Sequence, residues 1–523
     1  MVSKEHNQPQ QTGGLWVLVA TILASGIVFL DSSVVNVALP AIDRQLNTGL
    51  SGLQWIVDGY VLTLAAFLIL GGSLGDRFGR RRMMMIGLVG FAVASVASGF
   101  APSLSFLIGA RLLQGCAGAL LVPGSLALLR SNYSDPEQRG QAIGQWSGWS
   151  GITTVIGPLL GGWLVDSFSW RWIFFINVPI VVAALWMLYQ HVAESWDEQA
   201  DQRLDWTGGL LAMAGLGGLA YGLIEGPVLG WNSLPVLAAL AGGALILAIF
   251  PFVEARREAP MVPLDLFRSR NFTGANLVTL GVYFALSGTT FFLVIYLQNV
   301  GGYSALNAGL ALAPISLIML LLSPQFGKLA GKLGARWFMA AGPVVLAGGL
   351  LLFTRLDPQA NFVSEVLPAV VVFGLGLAST VAPLTNTVIS AVPDRRSGVA
   401  AAINNVASRV AGLLAVAGLG VVVSLTFNAS LDQRTSGMNL NQPAQQALNE
   451  IARNPTGSTT SPALPEQAQN AVNDAYTLAF RRALEVCAAL AFAGGGVAAL
   501  TIRKEPAESK TIPEDQAKSS EIP

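Results

Sequence analysis

The chain of 523 residues is 53% hydrophobic and only 11% charged, against roughly a quarter charged in an average soluble domain, a ratio that no water-soluble fold absorbs. Its 30 Lys plus Arg balance 30 Asp plus Glu, which removes any electrostatic case for nucleic acid as a partner. The two cysteines, Cys116 and Cys487, both fall in apolar runs, where they read as small apolar fillers and imply neither a disulfide nor a metal site.

A helix needs about 20 mostly apolar residues to cross some 30 Å of hydrocarbon, because every backbone polar group has to be satisfied within the segment. Fourteen stretches qualify. The first, 15–39, is too long for a signal-peptide core of about 7 to 15 residues and lacks a small-residue cleavage site after it, so it reads as a spanning helix. It is followed by 53–73, 83–101, 104–129, 140–165, 173–190 and 207–224, then by 233–253, 272–297, 304–326, 336–354, 364–388, 398–427 and 476–502. Lys and Arg resist translocation, so basic residues in short loops fix the orientation. With the N-terminus inside, the inner loops carry 16 of them, Arg77, Arg203, Arg395 and Arg396 included; the short outer loops carry three, Arg44, Arg171 and Arg355. Both termini are therefore expected in the cytoplasm. The connection 428–475, rich in Asn, Gln, Ser, Thr and Pro, then lies outside; its composition fits either an unstructured segment or a cover over the outer mouth. The tail after Arg503 reads as a solvated extension.

A repeat organises these segments. Gly72-Ser-Leu-Gly-Asp-Arg-Phe-Gly-Arg-Arg81 returns as Gly327-Lys-Leu-Ala-Gly-Lys-Leu-Gly-Ala-Arg336 at an offset of 255 residues. Pro123 and Pro383 are 260 apart, and Arg139-Gly-Gln-Ala and Ser397-Gly-Val-Ala 258. Matches at nearly one offset imply two six-helix halves with two helices inserted between them, and place a substrate site at the interface of the halves. The expected divisions are a cytoplasmic N-terminus 1–14, a first bundle 15–190, a linker with the two extra helices 191–271, a second bundle 272–502 that includes the outer loop 428–475, and a tail 503–523.

Three local patterns carry chemistry. In the loop after the second segment, Gly75 and Gly79 permit a tight turn, and Asp76 sits among Arg77, Arg80, Arg81 and Arg82; topology explains the arginines but neither the acid nor the glycines. In the fifth segment, Gly144, Gly148 and Gly151 precede Gly157-Pro158-Leu-Leu-Gly161-Gly162. Small residues four apart let helices approach closely in lipid, and Pro158 bends the helix. Third, charges inside a bilayer cost about 2.5 to 3.5 kcal/mol each and tend to be functional; Asp31, Asp58, Arg111 and Arg409 are the four to weigh. At 1.5 Å per residue, Asp31 lies about 24 Å up from the inner end of its helix, and Asp58 and Arg111 about 8 and 10 Å in from the outer end of theirs. Two carboxylates and a cation at one depth would couple their titrations, as a proton carrier requires. The alternative is a purely structural ion pair, and Asp58, so near the outer interface, also fits a solvated or capping role.

Gly72 to Arg81 resembles the major facilitator signature G-x-x-x-D-R-x-G-R-[RK], and the string Gly157 to Gly162 resembles the antiporter motif of drug exporters. Leu30-Asp31-Ser-Ser-Val-Val-Asn36-Val-Ala-Leu-Pro40 is similar to the helix-one signature of 14-helix drug/proton antiporters, and Arg111-Leu-Leu-Gln114-Gly115 to their helix-four motif. Trp170-Arg-Trp-Ile-Phe-Phe-Ile-Asn177-Val-Pro179 and Asp205-Trp206-x-Gly208 extend the match. The resemblance implies an all-α polytopic membrane protein with the major facilitator fold, 14 transmembrane helices in the cell membrane, working by alternating access as a proton-coupled efflux antiporter of small amphiphilic compounds. It implies Asp31 as main proton site, Arg111 as its modulator, and Gly72, Asp76, Arg77, Gly79 and Arg80 as a latch of the outward-facing state. Asp58 stands where a small or neutral residue is usual.

Asn36, Trp55, Tyr60, Gln114, Trp149, Asn404, Asn405 and Arg409 are candidates for the substrate cavity, with Trp146, Phe291, Phe292 and Tyr296 as further aromatics. With no extra acids in the tenth and thirteenth helices, such a cavity suits neutral, zwitterionic or monocationic compounds, and an anionic group could dock on Arg409. No cofactor is expected: His6 and His191 lack ligand-like companions, and no Walker-type loop offers ATP. A membrane-fusion adaptor is compatible with the resemblance, though no residue demands one. The competing functions are export of one native lipid or metabolite and, against the Gly157 to Gly162 string, uptake by proton symport; a membrane enzyme or receptor would lack any catalytic constellation.

Overall fold

The computed structural model describes residues 11–133, 135–197, 204–258, 260–358, 360–393, 396–438, 440–453 and 463–503. Residues 1–10 and 504–523, most of the two expected terminal extensions, lie outside the described residues, as do Arg203 and Arg395. The first bundle consists of α1 (Gln11–Leu46), α2 (Gly49–Phe78), α3 (Arg80–Gly99), α4 (Leu104–Asn132), α5 (Pro136–Ser167) and α6 (Trp172–His191). The inserted pair is α7 (Trp206–Leu229) and α8 (Leu234–Glu254). The second bundle consists of α9 (Arg270–Asn299), α10 (Ala305–Leu333), α11 (Ala335–Phe353), α12 (Phe362–Ser390), α13 (Ser397–Thr435) and α14 (Glu466–Thr501). Thirteen are long and apolar enough to span a membrane. The fourteenth, α5, has 32 residues, about 48 Å at 1.5 Å per residue.

Helix starts are set by side-chain oxygens that take orphan backbone N–H groups. Ser103 does so for α4, Asp135 for α5, Asp205 for α7, Ser269 for α9 and Ser304 for α10. Several helices outrun the apolar stretches: α1 continues past residue 39 through Asp43, Arg44 and Gln45, because backbone bonding carries on where the chain meets water and charge is tolerated. The connection 428–475 is largely helical where described. α13 runs on to Thr435, α14 begins at Glu466, and a short helix, Gln442–Arg453, buries Ala444, Leu448 and Ile451 on the core. The short helix packs against α13 of the second bundle.

The repeat is visible in the backbone. Gly79 (φ 103°) ends α2 and Gly334 (φ 98°) ends α10, in the left-handed region that favours glycine, and each N–H returns to the residue four earlier, Gly75 and Ala330. Packing repeats too: α1 lies on α5 and α6 as α9 lies on α13 and α14. The two bundles meet along α5–α10 and α2–α13, a pair of contacts exchanged by the pseudo-symmetry. α7 seats against this second seam, with Leu216, Ala220 and Ile224 on Leu62, Leu413 and Ala417, while α8 packs on α7 and is otherwise exposed.

Backbone contact closes the α5–α10 seam. A Cβ on Gly162 would stand 2.5 Å from Leu306 Cα, and one on Gly309 2.3 Å from the Pro158 carbonyl oxygen. Asp166 at the end of α5 caps α10, accepting from the N–H groups of Ala305 (3.1 Å) and Leu306 (2.9 Å). Gln54 Nε2 donates to the Val416 carbonyl and Gln298 Nε2 to that of Val37 (2.9 Å), both across the bundles. We therefore expect Gly309→Leu to force this face open. In a background without Cys116 and Cys487, Asn36→Cys should then react with an impermeant maleimide applied from the α1–α2 loop side, whereas Asn36→Cys with Gly309 intact should not.

Candidate functional site

Asp31 and Arg111 form an ion pair in the heart of the first bundle, each only 1% exposed. The close approach of α4 to α2 makes the pair possible: a Cβ on Gly115 would fall 2.1 Å from Thr63 Oγ1 and 2.3 Å from the Tyr60 carbonyl oxygen. Arg111 Nη1 donates to Asp31 Oδ2 and to Gln114 Oε1 (2.8 Å), and Nε donates to the Ile56 carbonyl (3.0 Å). The Tyr60 ring covers the guanidinium at 4.3 Å. Asp31 Oδ1 accepts from Gln114 Nε2 (2.8 Å) and Asn177 Nδ2 (3.2 Å), and both amides also donate to Ser95 Oγ, at 2.9 and 3.3 Å. Four helices, α1, α3, α4 and α6, thus contribute a side chain to one buried network, and α2 adds a carbonyl and a ring.

A cavity of about 1140 Å³ lies between the bundles, large enough for a drug-sized molecule. Phe29, Asn36, Tyr60, Phe291, Asn405 and Arg409 line its inner wall, and Arg111 reaches it while Asp31 does not. It runs out past Asp76, Arg80 and Arg130 to the face that carries the α2–α3 loop. At the other end it is shut by the α5–α10 seam, where Gly157 and Gly161 press on Ser33 and Val34 of α1 while Pro158 and Gly162 press on α10.

Asp58 stands apart from the network expected to hold it. It is fully buried beside the cavity, with neither carboxylate oxygen hydrogen-bonded, because Arg111 turns to Asp31 and to the Ile56 carbonyl instead. Trp55, Gln114 and Trp149 leave the cavity wall. Gln114 is spent on Asp31, Trp55 Nε1 donates to Glu225 Oε1 on α7 (2.8 Å), and Trp149 points outward, 51% exposed. Phe292 and Tyr296 pack inside the second bundle, Tyr296 stacked 4.3 Å from Phe480. Asn404 is held by Asn276 and Thr279 on α9. In the α2–α3 loop, Asp76 pairs with Arg80 at 2.7 Å within the first bundle, Arg77 lies over the Phe78 ring, and Gly72 lets α2 approach Pro123.

Three groups escaped the sequence reading. Asn177 lay within a noticed string, but nothing there aimed its amide at Asp31. Glu225 lies one residue past the apolar stretch 207–224 and falls inside the membrane helix only because α7 runs on to Leu229. Glu194 accepts from the N–H groups of Arg81 (2.9 Å) and Arg82 (3.1 Å), capping α3 at the point where a Cβ on Gly79 would meet its carboxyl at 2.7 Å.

Two pseudo-symmetric bundles with a charged network and a one-sided cavity define a membrane transporter. The chain belongs to the Major Facilitator Superfamily, whose pattern it matches over residues 21–416. It is similar to the multidrug resistance protein Stp of Mycobacterium tuberculosis (strain CDC 1551 / Oshkosh), 37% identical over 80% of this chain and 77% of that one. The tetracenomycin C resistance and export protein of Streptomyces glaucescens is 33% identical over 94% and 92%, and the puromycin resistance protein pur8 of Streptomyces alboniger 34% over 78% and 81%. Among solved structures, a bacterial homologue of the human lysosomal transporter Spinster, inward-facing and occupied, superposes with a TM-score of 0.65 at 18% identity, covering 96% of this chain and all of that one.

A buried ion pair is costly to break on one side only, about 3 to 5 kcal/mol, because the remaining charge loses its partner. Arg111→Gln should therefore lower the thermal midpoint of the purified protein sharply, and Arg111→Gln combined with Asp31→Asn should recover much of that loss.

Proposed function

We propose that the protein is a proton-coupled antiporter that exports small amphiphilic organic compounds from the cytoplasm by alternating access. The reading is carried by the burial of Asp31 just behind the wall of a cavity open at one end, held there by Arg111, which itself reaches the cavity. The basic residues of the α2–α3 and related loops mark that end as cytoplasmic, so both termini lie inside and the conformation is inward-facing, ready to load. The names of the relatives, a multidrug resistance protein and antibiotic resistance and export proteins, support export as the direction.

In this scheme Asp31 is ionised while Arg111, Gln114 and Asn177 hold it. Rocking of the bundles opens the α5–α10 seam, admits water from outside and disturbs the hold of Arg111, so that a proton takes Asp31 as the passenger leaves. Return to the inward state restores the ion pair and releases the proton to the cytoplasm. Asp58, with nothing beside it to stabilise a charge, is the second candidate to carry a proton, and Asp76 and Arg80 act as the latch of the outward state. Export of one metabolite is the second reading, favoured by relatives named for single antibiotics.

Expression in a pump-deficient host against a panel of toxic compounds separates these readings, since a dedicated exporter protects against one chemical class only. Asp31→Asn should reach the membrane at the parent level yet confer no resistance, and inverted vesicles should accumulate substrate on energisation unless a protonophore is present. Full protection by Asp31→Asn would remove the coupling scheme; loss rather than uptake of substrate from energised inverted vesicles would indicate symport.

A further inference from the structure

We propose that Arg409 docks an ionised carboxylate of the passenger, so that the preferred substrates are aromatic or otherwise bulky apolar molecules carrying a single acidic group. The inference rests on the export reading and names the substrate class of the same cavity.

Two arginines reach the cavity within the span of the bilayer, and they are in opposite states. Arg111 is fully engaged by an acid, an amide, a backbone carbonyl and a ring. Arg409, on α13 of the other bundle, makes no hydrogen bond and no ion pair among the described residues, and its buried Nε finds no acceptor there. Its guanidinium carbon lies 5.7 Å from the Phe29 ring. The acid that could have neutralised it, Asp58, also lines the cavity and makes no hydrogen bond, so the two are not paired. A guanidinium presents five donors in a fixed plane that matches a carboxylate, and it stays charged at every physiological pH. In a cleft with low-dielectric walls that unspent charge attracts an anion and repels a cation.

The surroundings suit the rest of such a molecule. Phe29, Tyr283, Leu286 and Phe291 supply an apolar wall, and Ser287 and Asn405 stand beside it. Among the described residues neither the Ser287 hydroxyl nor the Asn405 amide is hydrogen-bonded to a neighbour, in contrast with Asn404, which is held by Asn276 and Thr279. The carboxylate would thus lie on Arg409 of the second bundle, with its ring system against an aromatic wall to which both bundles contribute, Phe29 from the first and Tyr283 and Phe291 from the second.

The test uses the purified full-length protein in detergent and two probes that share one ring system and differ by the charge and one methyl group, anthracene-9-carboxylate and its methyl ester, followed by fluorescence anisotropy. The parent protein should bind the acid at least about tenfold more tightly than the ester, the scale of one charge-assisted bidentate contact. Arg409→Gln should abolish that preference, and Arg409→Lys, which keeps the charge and loses the fork, should retain part of it. Equal binding of acid and ester by the parent overturns the proposal. So does an unchanged acid-to-ester ratio in Arg409→Gln, or the absence of saturable acid binding. Equilibrium binding needs no gradient, so failure here leaves the coupling role of Asp31 standing, and failure of that role leaves this preference measurable.

Discussion

A carboxylate and a guanidinium buried together in a lipid-immersed bundle set the terms for everything around them. Burying either Asp31 or Arg111 alone at that depth would be costly, since each would forfeit its hydration with nothing in return. Together they are stable only because Gln114, Asn177, the Ile56 carbonyl and the Tyr60 ring satisfy what the pair leaves over. That requirement ties α1, α2, α3, α4 and α6 into one rigid body. It also makes the pair sensitive to any rearrangement that wets it or shifts one helix, as a site trading a proton against a conformational change must be.

Rigid bundles need a seam that can part, and here it is built from glycine. Gly162 and Gly309 bring α5 and α10 to backbone contact. Contacts of this kind form and break as a unit, unlike interdigitated cores, which deform poorly. The same glycines therefore account for tight closure at one end of the cavity. The inserted hairpin adds weight on one side: α7 lies along α2 and α13 without entering the cavity, and so widens the transporter without altering its two-bundle logic.

Much of this was legible in the residues. Hydropathy marked fourteen helices, because a spanning segment is solved locally, each backbone group bonding within its own helix. The repeat Gly72 to Arg81 announced the two halves, and Gly79 and Gly334 share one backbone conformation as that repeat requires. Asp31 and Arg111 stood out because charge in an apolar run is expensive. Position along a helix was less informative about neighbours. Depth placed Asp58 level with Arg111, but rotation about the α2 axis turned its side chain away, and the same uncertainty sent Gln114 into the network and Trp149 outward.

The sequence by itself therefore determined what is one-dimensional: the number and order of the helices, their duplication, and which residues carry charge where charge is dear. Tertiary structure alone decided the pairings, that Asp31 takes Arg111 while Asp58 and Arg409 take no one, and which end of the cavity is shut. The reason is that insertion energies sum along a chain, residue by residue, whereas hydrogen bonds and close backbone contacts depend on the azimuth of each helix and its distance from the next. Those are set jointly by all the packed surfaces, and no single segment contains them.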